Sequence, residues 1–327
     1  MRRALIVGIN GYATAPLYGC VRDAISLSTV LETNGDGSPN FSTRTLTSES
    51  TTIDSIVLSA AVDELFSADA DVALFYFSGH GNLNSSGGTL VTQEPPPGIR
   101  GMPMTELIAK ANSAHKRVKS TIIILDCCHS GAVGEAPSIL ADDISAIGKG
   151  VIFLSASHRD GYAMEAGGRG VFTDILIEGL QGGASDILGN ITPAAVYSLV
   201  DQTLGPWDQR PIFKANVQAF VSLRSAPPKI PLDTLRMLPV WFKTEEEVYP
   251  LDPQHEPDRE NVPEAFRQLA RDPAKENIFK QLQNCNRYGL VTAHNAEHMY
   301  YAAINSTGCS LTALGRHYRK LAELRRI

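Results

Sequence analysis

The fold class this sequence predicts for its first two thirds is α/β, a six-stranded, mostly parallel sheet flanked by helices. Three observations predict it. Short β-branched apolar runs alternate with longer amphipathic stretches, the pattern of strands joined by crossover helices. Most of the runs are apolar throughout, as strands buried on both faces must be. The long glycine- or proline-bearing connections at 82–100, 131–150 and 158–170 each follow a strand end, where open sheets build their sites.

Strands are expected at 4–9, 44–47, 72–77, 121–125, 151–155 and 217–223, segments of strand length that are mostly apolar runs. Helices are expected between them at 21–32, 53–66, 105–111, 172–180 and 193–204, the first ended by Asn34-Gly35 and the last capped by Thr192. After Pro227-Pro228 the texture becomes polar and proline-punctuated, which reads as a linker or arm. Regularity then returns, with a helix at 278–288, a strand from 289, a second strand at 299–304 and a basic helix at 311–324. The expected domains are therefore 1–226, a linker at 227–263, and a small winged-helix-like α+β domain at 264–327.

The bulk numbers narrow the class. With 43% hydrophobic and 20% charged residues among 327, the chain reads as an ordinary globular protein and not a disordered one. No stretch approaches the roughly 20 apolar residues that cross a bilayer, and the start, Met1-Arg2-Arg3 before a short apolar run, is a poor signal peptide. No membrane partner and a cytoplasmic location are expected. The five cysteines, at 20, 127, 128, 285 and 309, are odd in number and scattered, so they suit reduced thiols better than a disulfide framework. Charge is uneven. Residues 1–227 carry 15 Lys+Arg against 22 Asp+Glu, and residues 228–327 carry 14 against 13; the acidic front part modestly favours a cationic substrate.

Two strand ends carry chemistry. Phe75-Tyr76-Phe77 runs into Ser78-Gly79-His80-Gly81, and Ile122-Ile123-Ile124-Leu125 runs into Asp126-Cys127-Cys128-His129-Ser130-Gly131. Either segment alone is an ordinary strand followed by a turn. Together they offer a thiol and an imidazole on two rigid strand ends, which is what cysteine-nucleophile catalysis needs. Because neighbours on a strand point opposite ways, Cys127 and Cys128 are expected to face opposite sides, and with Cys128 as the nucleophile that the resemblance below implies, Cys127 is expected to face the core. A metal clip from Cys127-Cys128-His129 is disfavoured, since zinc sites want spaced ligands.

These residues resemble the paired signature of the caspase-like peptidases, in particular the metacaspases and the bacterial homologues called orthocaspases. The separation of His80 and Cys128, 48 residues, is similar to the caspase spacing of about 50. The opening 4–10 with Gly19-Cys20-Val21-Arg22-Asp23-Ala24, and the later Leu154-Ser155-Ala156-Ser157 and Gly170-Val171-Phe172-Thr173, also resemble family segments, so the likeness spans about 1–224. It implies a caspase-like sandwich, Cys128 as nucleophile, His80 as acid/base, and an oxyanion hole from the backbone N–H groups of Gly81 and Cys128. It also implies a pocket for arginine or lysine lined by Asp23, Ser78 and Asp126, hence protein or peptide substrates cut after a basic residue. Asp126 sits two residues before Cys128, on the same side of its strand.

The bacterial relatives imply a regulated role in stress, cell death or phage defence, under a protein activator or inhibitor. Self-processing is expected at Lys149, Arg159 or Arg169. No cofactor is expected, with calcium dependence left open: many metacaspases use calcium, but the nearby acids Glu94, Glu135, Asp142 and Asp143 give no clear match to the family's calcium site. The alternative reading is a regulator whose tail binds nucleic acid or protein through Arg316, Arg319, Lys320, Arg325 and Arg326, with the first domain as sensor or scaffold.

Overall fold

Runs such as Leu74-Phe75-Tyr76-Phe77 have no polar face to give to water, so they settle only where a sheet is covered on both sides. The computed structural model describes residues 1–84, 87–94, 101–127, 147–156, 165–166, 169–205, 211–217 and 219–327. They form two units, 1–185 with 189–227, and 186–188 with 228–327. Along the first unit run β1 (Arg2–Gly8), α1 (Cys20–Glu32), β2 (Ser42–Thr47), α2 (Ser55–Ser67), β3 (Ala70–Ser78), β4 (Gly81–Asn84), β5 (Gly87–Val91), β6 (Gly101–Pro103), α3 (Met104–Ser113), β7 (Val118–Asp126), β8 (Val151–Ser155), β9 (Glu165–Ala166), β10 (Arg169–Gly170), α4 (Val171–Glu178), β11 (Asn190–Ile191), α5 (Pro193–Leu204), β12 (Ile212–Asn216) and β13 (Arg224–Ser225).

The main sheet has six strands in the order β12-β8-β7-β3-β1-β2. All neighbours are parallel except β12, which runs antiparallel to β8. Strand alternation builds two cores. Leu5, Val7, Phe75, Phe77, Ile123 and Leu125 pack against α2 and α3, while Ile6, Leu74, Tyr76, Ile122 and Ile124 pack against α1, α4 and α5. Each such side chain contributes about 1.5–3 kcal/mol on burial, which fixes the register, because a one-residue slip would exchange the faces. Caps fix the helix starts: Asp54 accepts from the Val57 amide at 2.7 Å, and Thr192 accepts from the Ala195 amide at 3.1 Å, as its sequence position predicts.

Two expectations for this unit are corrected. The sixth strand is β12 and not 217–223. As an edge strand it is covered on one side only and is half-buried to exposed, so it lacks an apolar run. In the run that suggested 217–223, Val221 and Leu223 are buried but Val217 and Phe220 are exposed. The connection expected at 82–100 carries strands: β4 and β5 join β6 in an antiparallel three-stranded sheet directly after His80.

The second unit contains α6 (Leu232–Trp241), β14 (Val248–Tyr249), α7 (Glu264–Arg267), α8 (Pro273–Arg287), β15 (Val291–Ala293), α9 (Met299–Ile304), β16 (Cys309–Leu311) and α10 (Ala313–Glu323). Its sheet is antiparallel in the order β14-β16-β15. The passage expected as a linker is part of this core, supplying Ile230, Leu235, Leu238, Trp241, Phe242 and Leu251 beside Phe279 and Leu282. Residues 299–304 are a helix and not a strand: the buried positions are Met299, Ala302 and Ala303, the i, i+3, i+4 spacing of a helix face. The expected strand–strand hairpin is therefore strand–helix–strand. Arg319, counted above among the available cations, is 5% exposed and donates to the Phe242 and Lys243 carbonyls. It holds α10 to the end of α6.

Candidate active site

The C-terminal edge of the sheet is where β1, β3 and β7 stop together. Gly8 pairs with Ser78, and Ser78 with Asp126. The Gly79 amide donates to the Asp126 carbonyl at 3.3 Å, tying the two reactive strand ends to each other. His80 leaves β3 half-exposed, and three contacts orient it. Its amide donates to the Tyr12 hydroxyl at 2.9 Å, its ring lies 4.5 Å from the Tyr12 ring between centroids, and its Nε2 is 2.7 Å from the Ala15 carbonyl. A carbonyl only accepts, so Nε2 carries the hydrogen and Nδ1 bears the lone pair of the neutral ring. Ala15 has φ +82°, in the left-handed region that costs a residue with a side chain free energy, and its neighbours hold it there.

Tyr12 was not foreseen. It sits in a polar, glycine-containing segment with no periodicity to mark it. Its hydroxyl donates to the Val91 carbonyl at 3.1 Å while accepting from His80, so it bridges the histidine to β5. Burial pushes its phenol well above the ordinary range, against the opposing pull of the His80 amide; it stays protonated and keeps donating. Tyr12→Phe is expected to lower kcat about tenfold with little change in KM, because an unpaired buried amide costs about 1–3 kcal/mol and loosens His80. Steady-state kinetics on a peptide substrate check this, and an unchanged kcat would remove Tyr12 from the site.

The three residues expected to recognise a cation come together. Asp23 lies in the first turn of α1, and α1 approaches β1 closely because Gly8 has no side chain: a Cβ there would collide with the Cys20 carbonyl and lie 2.8 Å from Ala24 Cβ. Asp23 Oδ2 accepts from the Gly170 amide at 3.0 Å, and Asp126 Oδ2 accepts from the Thr173 hydroxyl at 2.6 Å. Gly170 caps α4 and Thr173 is in its first turn, so both carboxylates meet the positive end of one helix. A Cβ on Gly170 would overlap Asp126 Oδ2 and stand 3.0 Å from Asp23 Oδ2. Ser78 is 2% exposed, Asp23 1% and Asp126 5%. Tyr76, two residues before Ser78 on β3, has its hydroxyl 2.6 Å from Thr173 Oγ1. Burial, then the negative charges of Asp126 and Asp23, push its phenol well above the usual value.

Cys127 is fully buried in the core against α2 and α3, with Leu125 and Phe77, the orientation expected from strand alternation. Cys128 lies outside the described residues, as do Arg159, Glu135, Asp142 and Asp143. Gly81 opens β4, paired with Leu90. Lys149 is exposed in a turn, and Arg169 belongs to β10. Glu94 accepts from the Ser55 amide and the Thr92 hydroxyl. Among the described residues no three His, Cys, Asp or Glu side chains gather as a metal site, and no helix is long and apolar enough to cross a membrane.

A family model described as the Caspase domain matches residues 1–219. The chain belongs to the caspase-domain family. The caspase domain is a cysteine peptidase architecture, so the first unit is a caspase-like peptidase domain whose substrates are proteins. Among solved structures, caspase-1 from Spodoptera frugiperda is similar at 14% identity with a TM-score of 0.51, covering 69% of this chain and 90% of that one. At that identity the likeness is one of fold. Protein GSU0716 from Geobacter sulfurreducens is similar at 16% identity with a TM-score of 0.48, covering 70% of this chain and 98% of that one. No curated protein matches the sequence. The caspase match ends before the second unit, which begins its main run at Pro228.

Proposed function

We propose that the protein is a cysteine endopeptidase that cleaves after arginine or lysine through a Cys128–His80 dyad. The observation that carries the reading is the anchored imidazole. His80 stands at the end of β3, hydrogen-bonded in register to the strand that leads into Cys128, with Nε2 committed to the Ala15 carbonyl. Its Nδ1 is thereby the nitrogen left for proton transfer. In the proposed reaction His80 Nδ1 takes the proton of the Cys128 thiol, and the resulting thiolate attacks the scissile carbonyl carbon, forming the C–S bond as the carbonyl becomes an oxyanion. The backbone N–H groups of Cys128 and Gly81 hold that oxyanion. His80 gives a proton to the leaving amine as the C–N bond breaks, then takes one from water as the thioester is hydrolysed.

The acid pair supports the basic specificity. Two carboxylates at one helix N-terminus, both nearly closed to solvent, form a site whose natural complement is a guanidinium or ammonium. The Gly170 backbone lies directly against both carboxylates. Lys149, Arg159 and Arg169 are the proposed points of self-processing, and a regulated peptidase of a stress, cell-death or anti-phage response is the proposed role. The test is a panel of fluorogenic tripeptides differing only in the final residue, given to the full-length protein. Arginine and lysine should dominate; a preference for aspartate would overturn the pocket assignment.

A further inference from the structure

The acid pair is backed by hydroxyls that neither bind a catalytic group nor fill the core for lack of anything better. Ser78 and Tyr76 are two apart on β3 and so share a face, and Asp126 stands in register with Ser78 on the neighbouring strand. Thr173 reaches this face from the first turn of α4. Hydrogen counting gives the chain a direction. A hydroxyl has one hydrogen to give. Thr173 gives its hydrogen to Asp126 Oδ2 at 2.6 Å, so the Tyr76–Thr173 contact, also 2.6 Å, must be donated by Tyr76. The run is Tyr76 to Thr173 to Asp126: Thr173 accepts from Tyr76 and donates to the carboxylate on which the run ends.

We propose that Thr173, with Tyr76 behind it, is a positioning residue for substrate specificity: the relay fixes the plane of the Asp126 carboxylate, so that the charge is aimed before a basic side chain arrives. The inference rests on the pocket reading above. Aligned hydroxyls polarise one another in the same sense, which steadies the negative charge on Asp126 in a place closed to water. Preorganised charge loses less on binding than charge that must first be turned. The effect acts on the cationic end of the substrate and not on the scissile bond, so it belongs to KM and to discrimination.

The experiment compares kcat/KM for two tripeptides identical except for a final arginine or its neutral near-isostere citrulline, with wild type, Thr173→Val, Thr173→Ser and Tyr76→Phe. In Thr173→Val the arginine-to-citrulline ratio is expected to fall about tenfold, as for loss of a hydrogen bond to a charged group, with the change in KM for the arginine substrate and kcat nearly kept. Thr173→Ser should hold the ratio within about threefold of wild type, and Tyr76→Phe, which removes the donor behind Thr173, should fall between. The ratio does not depend on the fraction of folded enzyme, and Tyr76→Phe carries the test if Thr173→Val does not fold. Equal losses on both substrates, or no rescue by serine, would overturn the relay alone. A wild type that does not prefer arginine to citrulline would overturn the pocket reading and the relay with it.

Discussion

Cys128→Ala is expected to abolish cleavage of arginine-terminated peptides, with kcat/KM falling at least about 1,000-fold, because no other group can form the thioester. The neighbouring thiol supplies the control. Cys127 is fully buried among apolar side chains, so Cys127→Ala removes packed volume and is expected to cost roughly 1 kcal/mol of stability while cleavage survives. Kinetics with a denaturant melt of both variants separate the roles, and the reverse outcome would exchange the two cysteines. Intact mass after incubation reads self-processing in the same samples: fragments ending at Lys149, Arg159 or Arg169 should form in wild type and be missing from Cys128→Ala.

Asp126→Asn should separate function from stability. Asparagine keeps the shape and can still accept from Thr173, but it removes the charge that the basic side chain meets. Breaking one partner of a buried ion pair costs about 3–5 kcal/mol, which corresponds to roughly 150- to 5,000-fold in kcat/KM for arginine and lysine substrates. Substrates with a neutral final residue should be nearly unaffected. The free protein should melt no lower than wild type, since Asp126 shares its closed surroundings with Asp23 and both charges bear on Tyr76. A proportional loss on all substrates, or a lower melting temperature, would mean that Asp126 holds the fold together and does not read the substrate.

How much of this was legible in the sequence depends on what water does to each segment. β1, β3, β7 and β8 are covered on both faces, and only apolar residues can be there, so their runs announce them. β12 has one partner and half its surface in solvent, so its Ile-Phe-Lys-Ala-Asn carries no such mark. The sheet of β4, β5 and β6 was hidden because glycine and asparagine dominate its first hairpin, residues that normally mark turns. At the site, the roles of His80, Asp23, Ser78 and Asp126 could be posed from short motifs, and strand register brings the last two side by side. Tyr12 and Ala15 could not. Their part depends on a hydroxyl and a carbonyl delivered from a segment 65 and more residues earlier in the chain, with no local pattern to betray it. In the second unit the sign was present in 299–304: Met299, Ala302 and Ala303 have the spacing of a buried helix face, although tyrosine, which stands between them, is a residue strands favour.

The burial of the cysteines has a practical side. Cys20, Cys127, Cys285 and Cys309 are all buried, and burial pushes the last two thiols up to about 12. All four sulfurs are shielded, and at neutral pH those of Cys285 and Cys309 are held in the unreactive thiol form, so an alkylating reagent applied to the native protein meets little competition from them. Label uptake then becomes a count of competent molecules at position 128, an internal standard against which every rate constant above can be expressed per working enzyme.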